Sequence, residues 1–97
     1  MLTADQAALV KGMLARGDKQ HDIAAFFGEN GGRIAEIKTG MRFPDVAPAP
    51  KRDLPLPSAM AAGYWVYEAK QALLRARLGI DNALAHLADA ERKRGMQ

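Results

Sequence analysis

The chain has no cysteine among its 97 residues. That excludes a disulfide framework and any thiolate metal site, and it fits a reducing compartment. Aromatic residues are few: three Phe, two Tyr and one Trp. No run approaches the roughly 18 consecutive apolar residues that cross a bilayer, so no membrane partner is expected. The opening residues, MLTADQ, lack a basic stretch followed by an apolar one, and no secretion signal is expected. A dominant charge sign is missing too. Eight Lys/Arg stand against seven Asp/Glu in residues 1–57, and six against four in residues 58–97, for a net charge of +3. This balance permits a polyanionic partner without demanding one. The length suffices for one small core, or for a core with an added dimerisation element.

What the chain does have is helix punctuation. Thr3 and Gln6 stand at capping-box spacing, with Leu2 at the staple position before them. They open a helix over residues 4–16 whose apolar stripe is Leu9, Val10, Met13 and Leu14. Gly17 stops it. Asp18 is placed to cap a second helix, residues 19–27, facing inward through Ile23, Ala24 and Phe27, with Phe26 as a further candidate. Gly28 ends that helix, and Asn30 is placed to cap a third over residues 31–39, with Ile34 and Ile37 inward. Gly40 ends the third. No strand signal and no internal repeat occur, so the fold class is all-α.

All five prolines fall in residues 43–57, FPDVAPAPKRDLPLP. Proline lacks an amide donor and pushes its predecessor toward extended backbone, which predicts a semi-rigid linker. Beyond it, Ser58 is placed to cap a helix reaching Leu78. Ala62, Val66, Ala69, Leu73 and Ala76 recur at 4-3-4-3 spacing along it, the seam of a helix that packs on another helix. Gly79 reads as a stop and Asp81 as the cap of a last helix to Arg94. The expected organisation is therefore 1–42, a three-helix unit; 43–57, a linker; and 58–97, an antiparallel helical hairpin.

The most informative spacing lies in QHDIAAFFGENGGRIAEIKT, residues 20–39. A helix-turn-helix unit needs apolar residues at its fourth, eighth, fifteenth and eighteenth places. It needs a small residue at the fifth and glycine at the ninth. Those places hold Ile23, Phe27, Ile34, Ile37, Ala24 and Gly28. Over residues 3–42 the chain resembles the DNA-binding units of phage-repressor-type and recombinase-type regulators.

The resemblance implies that the third helix enters the major groove of double-stranded DNA. Carried over place by place, the exposed positions are Asn30, Gly31, Gly32, Arg33 and Glu36, followed by Lys38 and Thr39. Asn30 either bonds a base or caps its helix. Arg33 either reaches guanine O6/N7 or pairs with a phosphate. Glu36 either accepts from a cytosine amino group or is oriented by a neighbouring basic side chain. Lys19, Gln20, Lys38 and Arg42 are the phosphate candidates. Gly31 and Gly32 depart from the pattern, since they offer no side chain at two reading places. Bare glycines let helix-terminal amides approach a phosphate or base closely; alternatively, side-chain reading here is poor and specificity comes from two copies.

A dimer is expected through the C-terminal segment, by way of Ala62, Trp65, Val66, Ala69, Leu73, Leu84 and Leu87, because a two-helix hairpin cannot bury both its faces. Tyr64 and Tyr67 flank this seam and read either as interface or as intramolecular core. His21 and His86 lie far apart without an acidic cluster, and no nucleophile–base set or phosphate-binding loop occurs. No metal, cofactor or catalytic residue is expected. The sequence thus points to a small cytoplasmic, nucleoid-associated transcriptional regulator binding an inverted repeat as a homodimer. A second reading is an adaptor or phage packaging-type subunit, tethered to nucleic acid by its N-terminal unit and joined to a protein partner by its hairpin. A helical bundle without nucleic acid is the third.

Overall fold

The computed structural model describes residues 1–95. Among them every regular element is helical and no strand occurs. The elements are α1 (Ala4–Arg16), α2 (Gln20–Phe27), α3 (Gly31–Lys38), two 3₁₀ turns (Lys51–Asp53 and Pro57–Ala62) and α4 (Gly63–Gly95). The chain divides into a first compact unit, Met1–Tyr67, and a second that begins at Glu68, inside α4.

Local signals set the ends of the first three helices. The Gln6 amide donates to Thr3 Oγ1 (3.2 Å) and the Thr3 amide donates to Gln6 Oε1 (2.8 Å), so both partners of the box at α1 are engaged. Gly17 closes α1 in the left-handed region (φ 99°), with the Asp18 amide donating to Met13 O (3.0 Å). Asp18 does not cap α2. Its carboxylate takes the Arg16 guanidinium at 2.6 Å instead, and the N-cap is Lys19 without a side-chain bond. Gly28 turns left-handed (φ 67°) between α2 and α3, where an L side chain would be strained.

The core of the first unit joins the facing stripes of these helices. Val10, Met13, Ile23 and Ile34 are fully buried, and Leu9, Ala24, Phe26 and Ile37 nearly so. Phe26 is the deeper of the two phenylalanines at 3% exposure, whereas Phe27, expected inward, is only half-buried. The two rings meet edge-on at 4.9 Å. Tyr64 and Tyr67 close over Phe26, each at 6.0 Å between ring centres, so both tyrosines belong to the intramolecular core. The Tyr67 hydroxyl also donates to Asp53 O (2.5 Å).

Two expectations are corrected. Residues 43–57 are not a spacer. Prolines leave this segment with only single-turn bonds of its own, such as those of the Lys51–Asp53 turn, so several of its carbonyls are open to donors from α1. Lys11 Nζ donates to Phe43 O and Val46 O, both at 2.6 Å, and Arg16 Nη1 donates to Pro55 O at 2.7 Å. The Ala49 amide donates to Ala8 O (2.8 Å), and Leu54 is buried over Gly12. The segment is strapped along α1 as part of the first unit.

The C-terminal hairpin over 58–97 is likewise absent among the described residues. Ser58 lies in a 3₁₀ turn, and from Gly63 to Gly95 the chain is one helix of 33 residues. The usual glycine stop needs positive φ; Gly79 does not adopt it, and no proline follows it. A glycine inside a helix costs about 1 kcal/mol relative to alanine, which the alanines and leucines on either side easily outweigh.

Candidate nucleic-acid interface

α2, the turn at Gly28 and α3 pack on one another and on α1 through buried Ile23, Ala24, Ile34 and Ile37. That burial fixes which side of α3 looks outward. Gly31, Gly32, Arg33, Lys38 and Thr39 are exposed, as are Asn30 and Arg42 at its two ends, and Glu36 is half-buried among them.

The helix start is occupied by its own cap. Asn30 Oδ1 accepts from the Gly32 amide at 2.8 Å, so of its two readings the cap is the one seen. Gly31 and Gly32 are not demanded by the fold. Neither has positive φ. A Cβ on Gly31 would meet nothing within 4 Å, and one on Gly32 only the Asn30 side chain at 3.4 Å. The chain therefore carries two weak helix formers on an open edge where its own packing would accept alanine.

Farther along, the charges are organised around one carboxylate. Arg33 Nη1 lies 3.1 Å from Glu36 Oε1, and Arg42 Nε lies 2.9 Å from Glu36 Oε2. The bond from Arg42, followed by that from Arg33, holds the Glu36 carboxyl below its ordinary value of 4.5. Both basic neighbours are thus in contact with Glu36, the bonds that its orienting reading requires. The two arginines, with Glu29, Ile37 and Phe43, line a cleft of about 160 Å³. The Thr39 hydroxyl donates back to Ala35 O (3.0 Å), which engages it within α3. Lys19, Gln20 and Lys38 line a separate shallow depression with Leu14 and His21. The expected contact residues thus fall into an arginine–glutamate group, a lysine group and the bare glycine edge.

Sequence reasoning missed that Glu36 binds both arginines at once. The Arg33–Glu36 pair was open to view as an i,i+3 spacing, but Arg42 reaches Glu36 only because the chain folds back after α3, where the Met41 and Arg42 amides donate to Glu36 O (2.9 and 3.2 Å).

The residues expected at a dimer interface are all exposed: Ala62, Trp65, Val66, Ala69, Leu73, Leu84 and Leu87. Trp65 stands outside the Phe26–Tyr64–Tyr67 cluster at 84% exposure. Among the described residues no group of three or more His, Cys, Asp or Glu is placed to hold a metal ion, and no helix is long and apolar enough to cross a membrane. No family model, curated protein or solved structure matches the chain.

Proposed function

We propose that the chain is a small sequence-specific DNA-binding regulator that acts as a homodimer, with α2 and α3 as a helix-turn-helix unit and α3 as the helix that enters the major groove. The observation that carries this reading is the outward edge of α3: two glycines with no packing reason, then Arg33 and Lys38, on a helix fixed from behind by Ile34 and Ile37. In the reading, Gly31 and Gly32 let the backbone come close to the duplex, and Arg33 reads a base with Glu36 as its orienting partner. Lys19, Gln20, Lys38 and Arg42 contact phosphates, and Asn30 serves as cap. The protein is then cytoplasmic and associated with the nucleoid, and no catalysis, cofactor or metal enters its action.

Selection of bound duplexes from a random pool, followed by titration of the selected site, tests the proposal. Affinity should fall steeply with salt, as counterions return to the phosphates. Arg33→Ala should weaken the selected site by about 1–3 kcal/mol and unrelated DNA much less. Gly31→Ala should weaken DNA binding while leaving the fold intact. A chain that enriches no sequence and binds duplex DNA without salt dependence is not such a regulator.

A further inference from the structure

α4 carries a self-complementary face that no described residue of the chain covers. Its heptad spacing does not stop at Gly79. Val66, Leu73, Ile80 and Leu87 form one row seven residues apart, and Ala69, Ala76, Ala83 and Ala90 form the next, so the 4-3 alternation runs unbroken from 66 to 90. The first row is entirely large and the second entirely alanine. Every one of these side chains is exposed, and α4 has no buried residue. A helix beyond Glu68 with no packing of its own is marginal in water, which calls for a partner.

We infer that two copies pair through α4 as an antiparallel coiled coil, in the register that sets Val66 against Ala90, Leu73 against Ala83, Ile80 against Ala76 and Leu87 against Ala69 of the second copy. In an antiparallel pair each layer joins one row to the other row, so every layer is one large and one small residue. All four layers then have the same width, and the alanines let the helices approach toward the lower end of the usual 8–10 Å spacing. A parallel pair in register would instead alternate Leu73 on Leu73 with Ala76 on Ala76, leaving layers of unequal width along straight helices.

Charge agrees with this direction. Residues 66–77 hold Lys70, Arg75 and Arg77 against Glu68, while residues 79–90 hold Asp81 and Asp89 and no Lys or Arg. Antiparallel pairing lays the basic half of one helix along the acidic half of the other; parallel pairing sets like beside like. These charges lie beside or behind the seam, so they bias orientation more than affinity. Leu74 and Leu78 fall outside the seam and take no part. The pairing deepens the dimer half of the function proposed above and does not depend on its DNA half.

The absence of cysteine makes the test clean. Leu73→Cys and Ala83→Cys are made separately in the full chain, mixed, and oxidised mildly without DNA. The expected product is a covalent heterodimer of the two variants, in at least tenfold excess over either homodimer. A dominant disulfide homodimer of the Leu73→Cys variant, or no cross-link together with a monomeric mass at tens of micromolar, would overturn the pairing. Ala76→Leu provides a second readout, because leucine favours helix but sets large against large at Ile80. The dissociation constant of the dimer should rise at least tenfold with helix content unchanged, and a dimer as tight as the parent would overturn the register. The same samples, titrated with the selected duplex, separate the two proposals: cross-linking without DNA binding removes the regulator reading alone, and DNA binding by a chain that never pairs removes this one alone.

Discussion

The first unit and the helix beyond it solve the same problem in opposite ways. Both carry apolar residues at three- and four-residue spacing. In residues 1–67 each stripe meets another stripe of the same chain, and Met13, Ile23 and Ile34 vanish from the surface. Along α4 the stripe has no buried residue, and Val66, Leu73, Ile80 and Leu87 each stand more than half exposed. Periodicity therefore states that a face is built for contact but not where the contact comes from. In the first unit the answer is short loops and a returning strap; α4 runs on to Gly95 without a turn.

The largest expected effect tests that contrast directly. Ile34→Ala removes a fully buried side chain of α3 from the core of the first unit and should cost about 2–5 kcal/mol of stability. Leu78→Ala, exposed and outside the proposed seam, should stay within about 0.5 kcal/mol. Urea unfolding, followed by the near-ultraviolet signal of the Tyr64–Tyr67 cluster, measures both. Equal and small losses would mean that the first unit lacks a core of its own.

A pair of glycines sharpens the comparison at smaller scale. Gly12 and Gly79 both sit inside helices with ordinary φ, where alanine normally gains about 0.5–1 kcal/mol. At Gly12 a Cβ would lie 2.8 Å from Ala49 O and 2.8 Å from Leu54 Cδ2, so the strap would have to lift. Gly12→Ala should lose about 1–3 kcal/mol. At Gly79 a Cβ meets nothing, and Gly79→Ala should raise the helix content and thermal resistance of α4. Two gains would show that the strap does not press on α1 in solution.

These sites also show what the sequence makes legible. The helices of the first unit were readable because their signals are local: Thr3 with Gln6, Asn30 beside Gly32, and the Gly17 and Gly28 stops lie within a few residues of what they control. Most of the inward set followed from the same short spacings; Leu14, like Phe27, is only half-buried, and the depth of Phe26 depends on where Tyr64 and Tyr67 arrive. The strap was hidden because Lys11 finds Phe43 and Val46 more than thirty residues away, and a proline-rich segment looks alike whether free or pinned. Gly79 misled because glycine is permissive: the residue allows a stop, but only the backbone angle decides whether one occurs. Reading it as a stop cut the heptad row in two and concealed that Leu73 and Ile80 share one seam.

The smallest expected effect lies on the outer edge of α3, where the folded unit meets solvent. Glu36 is held below its ordinary value of 4.5 first by Arg42 and then by Arg33. A carboxylate depressed by folding contributes stability that is complete above the unfolded value, and loses it as pH falls through the lower folded one. Acidification from neutrality should therefore leave this cluster intact down to about pH 4.5 and release both arginines below it. Carbon-detected titration of the Glu36 carboxyl should show the lowered midpoint. Arg42→Ala should move it up more than Arg33→Ala does, and added salt should move it up in the parent, because the group is open to solvent and screened. A midpoint indifferent to Arg42 would mean that the guanidinium is free in solution. Arg42 would then be available to a phosphate without first leaving Glu36, and the orienting role of Glu36 would narrow to Arg33 alone.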